Sequence, residues 1–328
     1  MSGTDYSRPN FNESDIMDLR NIAIIAHVDH GKTSLIDVLL RQSGLFRDNQ
    51  KVAERAMDSN DLERERGITI LAKCTSLEWH GQRINIVDTP GHADFGGEVE
   101  RILSMVDGKA LKLGLRPIVF INKVDKPEQR AHAVHDEVFD LFTSLDANDD
   151  QLDFPTLFGS AKEGWAAAGP EGPKTDMAPL FGLSWEHVSP PVADKDGPFT
   201  MLATTLESNP FLGRVLTGKI SSGVIRPNMT VKALSRDGSV IEEKRVTKLL
   251  AFRGLERIPV EEAEAGDIVA ITGLGKATVA DTICDPQVTE AFDSQPIDPP
   301  TLAMTFSVND SPLSGLDGDK ITSRVILA

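Results

Sequence analysis

The sequence predicts an α/β chain: a doubly wound parallel sheet first, then an antiparallel β-barrel, then the start of an α+β unit. Three observations carry this. Over residues ~18–187, apolar runs of strand length alternate with helical patterns, as a parallel sheet with helices on both faces requires. From ~198 to ~288 the pattern changes to short β-like runs: Thr200–Leu206, Gly218–Ile220, Met229–Leu234 and Ile268–Ile271. Turn signals separate them at Arg226-Pro227-Asn228, Arg236-Asp237-Gly238 and Ala265-Gly266-Asp267, the spacing of a small barrel. Over 296–328, Pro299-Pro300 precede a strand at 301–308, and a helix starts near Asp319.

The first strand, Asn21-Ile22-Ala23-Ile24-Ile25, runs into Ala26-His27-Val28-Asp29-His30-Gly31-Lys32-Thr33, and a helix follows from Ser34 to Leu40. Such a loop turns backbone N–H groups inward around phosphates, here from Asp29, His30, Gly31, Lys32 and Thr33. The Lys32 ammonium is a point charge for the terminal phosphates, and the Thr33 hydroxyl suits Mg²⁺. Ala26 replaces the usual first glycine with another small residue. The alternative, a surface turn that happens to hold Gly-Lys-Thr, does not account for three further elements in the right order. A second strand, Ile84-Asn85-Ile86-Val87-Asp88, ends in an acid and is followed by Thr89-Pro90-Gly91-His92. Asp88 can reach Mg²⁺ through water, and Gly91 can offer its N–H to a γ-phosphate. A third strand, Pro117–Ile121, leads into Asn122-Lys123-Val124-Asp125. The Asp125 carboxylate can accept hydrogen bonds from guanine N1–H and the 2-amino group, a pair that adenine does not offer. Phe158-Gly159-Ser160-Ala161-Lys162 resembles the loop that contacts the guanine carbonyl, which adds Ser160 and Ala161 to the base site.

With these residues in place, the chain resembles the translational GTPases, the class of elongation factors Tu and G. Arg64-Glu65-Arg66-Gly67-Ile68-Thr69-Ile70 is similar to the first switch segment of that class. The stretch from Lys109 to Pro117 and the run Asn309–Leu313 are similar to the TypA/BipA subfamily. The resemblance covers residues 18–328. It implies a P-loop GTPase domain that uses GTP/GDP and Mg²⁺, with Asn122, Lys123 and Asp125 around the guanine. It implies that Thr69 completes the Mg²⁺ shell beside Thr33 and Asp88, and that Val28 and Ile68 form an apolar gate. His92 is then the catalytic residue. Its imidazole either hydrogen-bonds the attacking water or, as imidazolium, stabilises charge on the phosphoryl oxygens. The subfamily implies the ribosome as partner (large subunit and ribosomal RNA), tRNA contacts through domains absent here, and roles in ribosome assembly and stress adaptation. His27 and His30 suggest a metal site, but Asp29 and Gly31 suit a loop and no Cys cluster accompanies them.

Composition bounds the rest. At 328 residues the chain has room for two or three domains. Lys and Arg total 34 against 50 Asp and Glu, a net charge of −16, so a polyanion such as RNA is repelled on average. A local patch can override this. The cluster Lys244, Arg245, Lys248, Arg253 and Arg257 is either such a patch or an ordinary solvated barrel face. Cys74 and Cys284 read as inert thiols of a reducing compartment. The sequence shows no charged-plus-apolar leader and no apolar run near ~18 residues, so a cytoplasmic monomer without a membrane partner is expected. Residues 1–17 read as a mobile tail, 18–187 as the nucleotide domain, 188–197 as a linker, 198–288 as the barrel and 296–328 as a truncated third domain.

One feature departs from a complete nucleotide domain. After the helix at Phe95–Asp107 the chain reads Gly108-Lys109-Ala110 and enters the end of the next helix. The interval from Asp88 to Asn122 is short by one strand-plus-helix unit, ~20 residues. Either residues are missing from this sequence or the deletion is genuine. A genuine loss removes an interior strand, at a cost greater than a domain's whole margin of about 5–15 kcal/mol. The expectations are therefore a GTPase with an intact site or a non-catalytic relic that no longer binds GTP productively. A P-loop ATPase or kinase is disfavoured by Asn122–Asp125.

Overall fold

The computed structural model describes residues 19–44, 65, 69, 71–91, 99, 102–106 and 116–294, together with scattered positions between 303 and 322. The chain divides into two compact units, Met1–Gln295 and Pro296–Ala328. In the second, the described positions carry neither strand nor helix, and the helix expected from Asp319 lies outside the described residues, as does the tail at 1–17.

In the first unit, β1 (Leu19–Ile24), β2 (Lys73–Trp79) and β3 (Gln82–Asp88) form one sheet in the order β1-β3-β2. β1 lies parallel to β3, with Leu19 opposite Arg83 and Ile24 opposite Asp88, and β2 is antiparallel to β3. The two-residue period of a strand decides what each face covers. Ile22, Ile24, Ile84 and Ile86 pack with Leu35, Ile36, Leu39 and Leu40 of helix α1 (Lys32–Gln42). Ala23 and Val87 pack on the other face with Ile102, Leu103 and Met105, and with Leu250, Phe252 and Ile268 of the barrel. Among the described residues, that face is shared by the barrel and a short 3₁₀ turn, Leu103–Met105, within the helix expected at Phe95–Asp107.

A second sheet follows. It holds β4 (Val119–Ile121), β5 (Thr156–Ser160) and β6 (Trp165–Ala167), in that order, with β4 parallel and β6 antiparallel to β5. Helices α2 (Ala131–Ser144), α3 (Asp149–Leu152) and α4 (Ala178–His187) accompany it. Leu157, Ala166, Leu180 and Phe181 share the α1-side core with the first sheet, and Trp79 stacks on Phe181 with ring centroids 4.2 Å apart. Among the described residues no strand joins β1 to β4. The parallel sheet stands in two three-stranded pieces, in keeping with the strand-and-helix unit that the sequence lacks.

The barrel is built from β7 (Thr200–Leu202), β8 (Thr205–Asn209), β9 (Gly213–Ser222), β10 (Val224–Ile225), β11 (Thr230–Leu234), β12 (Val240–Arg245), β13 (Lys248–Arg253), β14 (Glu256–Pro259), β15 (Ala263–Glu264), β16 (Ile268–Thr272) and β17 (Thr282–Cys284). Nine of them form one antiparallel sheet in the order β12-β11-β17-β7-β9-β16-β13-β14, with β8 on β9. Its inward residues, among them Met201, Leu216, Ile220, Val231, Leu249, Val269 and Ile283, make a single core. The run expected at Thr200–Leu206 is broken at Ala203-Thr204, where the chain leaves its pairing with β17. Among the described residues no helix is long and apolar enough to cross a membrane.

A polar network fixes how the barrel meets the first sheet. Asn21 donates to the Gly266 carbonyl at 2.9 Å, and Asn85 donates to Asn21 at 2.8 Å and to Asp267 at 3.3 Å. Arg83 pairs with Asp267 at 3.1 Å, and the Thr75 hydroxyl donates to the Gly254 carbonyl at 2.5 Å. Apolar burial supplies the adhesion, and the network sets the orientation, because a buried polar group left unpaired is costly. Cys74 and Cys284 are unpaired thiols, and burial pushes them up to about 12 and about 11.

Two outcomes are expected. Asp267→Ala should lower stability by about 2 kcal/mol, measured by urea unfolding, because it removes the carboxylate that pairs with Arg83 and leaves Asn85 only its bond to Asn21. Iodoacetamide at pH 8 should leave both cysteines unmodified in the native chain and alkylate both in urea, as read by intact mass, because the reactive species is the thiolate.

Candidate functional site

Strands β1, β3, β4 and β5 deliver their C-terminal ends to one place, and the loops that leave them line a cavity of about 370 Å³. This is the edge at which parallel α/β sheets take ligands, and the volume suits a small molecule. The loop after β1 contributes Val28, Asp29, Gly31, Lys32 and Thr33, and the turn after β3 contributes Gly91. Asn122, Lys123 and Asp125 come from the loop after β4, Ser160 and Ala161 from the end of β5 and the loop beyond it, and Thr69 completes the wall. His27, Ser34, Lys126 and Lys162 also line it. His27 and Lys162 belong to the quoted loop motifs, whereas Ser34 and Lys126 each follow one directly in sequence.

On the phosphate side, Gly31 caps α1 in the left-handed region at φ 87°. A Cβ there would lie 2.5 Å from Asn122 Nδ2, so the position accepts glycine alone. At Gly91 a Cβ would stand 3.1 Å from the Ala26 carbonyl oxygen and 3.2 Å from the Val28 nitrogen. Asp29 and Lys123 both hold φ 63°, an uncommon left-handed backbone for residues with side chains, and one that concentrates at functional sites. The first turn of α1 has backbone N–H groups without partners in the helix, which makes it an anion site. Lys32 sits there, nearly buried, against the sign of the helix dipole. Its ammonium donates to the Thr89 carbonyl and lies 3.5 Å from Asp88. Asp88 is fully buried and stands behind Lys32 rather than on the cavity wall. The Thr33 and Thr69 hydroxyls are 3.4 Å apart. The two hydroxyls, side by side on the cavity wall, are hard oxygen donors of the kind that suit a cation such as Mg²⁺.

On the opposite side, Asn122 interlocks three loops. Its Nδ2 donates to the His30 carbonyl at 2.8 Å, and its Oδ1 accepts from the Lys123 and Ala161 amides, both at 2.8 Å. Lys123 Nζ donates to the Asp29 carbonyl at 2.5 Å. His30 thus contributes its main chain to this frame. The Ser160 hydroxyl donates to Asp125 and holds its carboxyl below the usual range, with the Lys126 ammonium adding to this from 3.6 Å. An ionised Asp125 only accepts hydrogen bonds, which matches two adjacent N–H donors on a purine edge. His92 and Ile68 lie outside the described residues. Among the described residues, no group of three or more His, Cys, Asp or Glu gathers to hold a metal.

Residues 17–111 and 108–210 match the family described as Elongation factor Tu GTP binding domain, and residues 213–284 match Elongation factor Tu domain 2. The first match falls into two overlapping pieces that meet at 108–111, where the sequence is short of a strand and helix. The chain is 51% identical over 329 residues to the Large ribosomal subunit assembly factor BipA of Escherichia coli strain K12, covering 94% of this chain and 54% of that protein. It is 51% identical to the protein of that name from Haemophilus influenzae, over 96% of this chain and 54% of the relative. For Synechocystis the identity is 48%, over 94% and 55%. The chain spans about half the length of the curated relatives it matches. With the interlocked loops and these similarities together, the chain belongs to the elongation factor Tu GTP-binding domain family, the translational GTPases, and is of the TypA/BipA type within it.

Proposed function

We propose that this chain binds GTP in the cavity and hydrolyses it with Mg²⁺, as a cytoplasmic GTPase that serves the large ribosomal subunit. One observation supports this above the others. Asn122 ties the loop that would read guanine to the loop that would hold the phosphates, through the His30 carbonyl and the Ala161 amide. Base and phosphates would be read by a single frame.

In this reading the backbone N–H groups from Asp29 to Thr33, with that of Gly91, hold the β- and γ-phosphates. Lys32 supplies the counter-charge, already desolvated and held close by Asp88. The Thr33 and Thr69 hydroxyls hold Mg²⁺, with Asp88 acting through water; the bound ion neutralises charge that develops on the phosphoryl oxygens. Thr69 also senses the γ-phosphate, and loss of that group releases its segment. His92, next to Gly91, orients the attacking water or stabilises the developing charge, and Val28 with Ile68 gates its approach. Asp125 selects guanine, with Asn122, Lys123, Ser160 and Ala161 framing the base. Positioning and electrostatics carry most of such a reaction, because little covalent chemistry falls to the protein.

The named relatives are assembly factors of the large ribosomal subunit, which supports the same partner here. With a net charge of −16, contact with ribosomal RNA must be local. Lys244, Arg245 and Lys248 are exposed on β12 and β13. Arg257 is a weaker candidate, because it pairs with Glu207 and lies over the Phe252 ring. We assign residues 18–187 to the nucleotide domain, 188–197 to the linker, 198–288 to the barrel and 296–328 to a third unit.

A second reading, a relic that no longer binds GTP productively, is favoured by one observation. The parallel sheet stands in two pieces, and the family match breaks at 108–111. Calorimetric titration of the purified chain with GTP, GDP and ATP in Mg²⁺ separates the two. The GTPase reading expects GTP and GDP to bind and ATP to bind about 100-fold more weakly or worse. A folded chain with no affinity for GTP establishes the relic.

Two substitutions probe the roles. Asp125→Asn should weaken GTP binding by at least about tenfold and shift preference toward xanthosine triphosphate in competition titrations, because the amide presents a donor where guanine needs an acceptor. Unchanged GTP affinity would remove Asp125 from base selection. His92→Ala should leave nucleotide affinity within about twofold while hydrolysis stimulated by 50S particles falls about 100-fold or more in single-turnover assays; full activity would exclude His92 from the reaction.

A further inference from the structure

Asp125 and Ser160 line the same cavity, and Ser160 ends β5, where it pairs with Trp165 of β6 across a short loop, Ala161–Gly164. The Ser160 hydroxyl accepts from the Glu163 amide at 3.2 Å and, on the same cavity wall as Asp125, holds that carboxyl below its usual range. The loop is held at a second point by the Ala161 amide on Asn122. The third hold comes from outside every motif. Gln42, the last residue of α1, donates from Nε2 to the Gly164 carbonyl at 2.7 Å, and its Oε1 accepts from the Met177 amide at 2.7 Å. Gly164 and Met177 are buried, so neither backbone group can turn to water if the amide side chain is lost. The same helix carries Lys32 and Thr33 in its first turn. One rigid rod therefore touches the phosphate side at its start and the base loop at its end.

We propose that Gln42 is a positioning residue for base selection: its hydrogen bond to Gly164 fixes the β5–β6 loop, the loop fixes the Ser160 hydroxyl, and that hydroxyl sets the Asp125 carboxylate against the purine 2-amino group. The inference rests on the GTP reading of the cavity. Its particular consequence is that Gln42 governs discrimination at the 2-amino group, not nucleotide affinity in general.

Inosine triphosphate differs from GTP only in lacking that amino group, so competition titrations of the full chain with GTP and ITP isolate the effect. In Gln42→Met, which keeps side-chain length and removes both hydrogen bonds, the preference for GTP over ITP should fall about tenfold while ITP affinity stays within about twofold. Gln42→Glu still accepts from Met177 and cannot donate to Gly164, so it should lose the same preference; it carries the test if the Met variant does not fold. A variant that keeps the parent ratio, or loses affinity for both nucleotides equally as a general loosening would give, overturns the proposal. A parent chain that binds neither nucleotide, or does not distinguish them, overturns the GTP reading itself, and this inference with it.

Discussion

The parallel ladder between β1 and β3 is the constraint on which the first unit depends. It sets Ile24 beside Asp88 and Asn21 beside Asn85. The first pair places the phosphate loop against the carboxylate and the Thr89-Pro90-Gly91 turn. The second pair lies three residues back along both strands and receives the barrel through Gly266 and Asp267. A slip of one residue would turn Ile84 and Ile86 away from α1 and bring Asn85 into the apolar core, because neighbouring side chains on a strand point to opposite faces. Pairing register, core and site are therefore one decision. The ladder also gives the barrel a direct mechanical connection to the cavity, since the elements that hold it run straight into the loops that line the site.

The electrostatics of the site follow from burial. Lys32 is nearly inaccessible, at the helix end where a cation is least favoured. It is held there by Asp88 and the Thr89 carbonyl. Asp125 shows the converse: the nearby Ser160 hydroxyl and the Lys126 ammonium hold its carboxyl below the usual range. Left-handed backbone at Asp29 and Lys123 belongs to the same pattern, in which local conformational cost is held by the hydrogen bonds of the frame.

The division of the parallel sheet bears on the same site. The phosphate loop hangs from one three-stranded sheet and the base loops from the other. The connection between them runs through α1 and the core it shares with both sheets, and through Asn122 and Gln42 at the surface of that core. With no described strand bridging β1 and β4, these side chains bear more of the alignment than they would beside a continuous ladder. The exposed Phe139 and Leu141 on α2 mark a helix with little covering it, as expected beside a shortened layer.

The alternating strand and helix patterns, the four motifs in their order, the β-rich second half and the shortened interval before Asn122 were all legible in the residues, because each is a local pattern of type and spacing. Gly31, Lys32, Thr33, Asn122 and Asp125 could be singled out for the same reason: phosphate and base chemistry each require a particular side chain at a particular loop position. Other features had no local signature. That the barrel covers the face bearing Val87, that Asn21 and Asn85 face Asp267, and that Gln42 braces a loop more than a hundred residues away are contacts between segments distant in sequence. Nothing in a strand's pattern says whether a helix or another domain will cover it. A glutamine at the end of a helix reads as solvent-facing until folding brings a buried carbonyl and a buried amide within reach of both ends of its side chain.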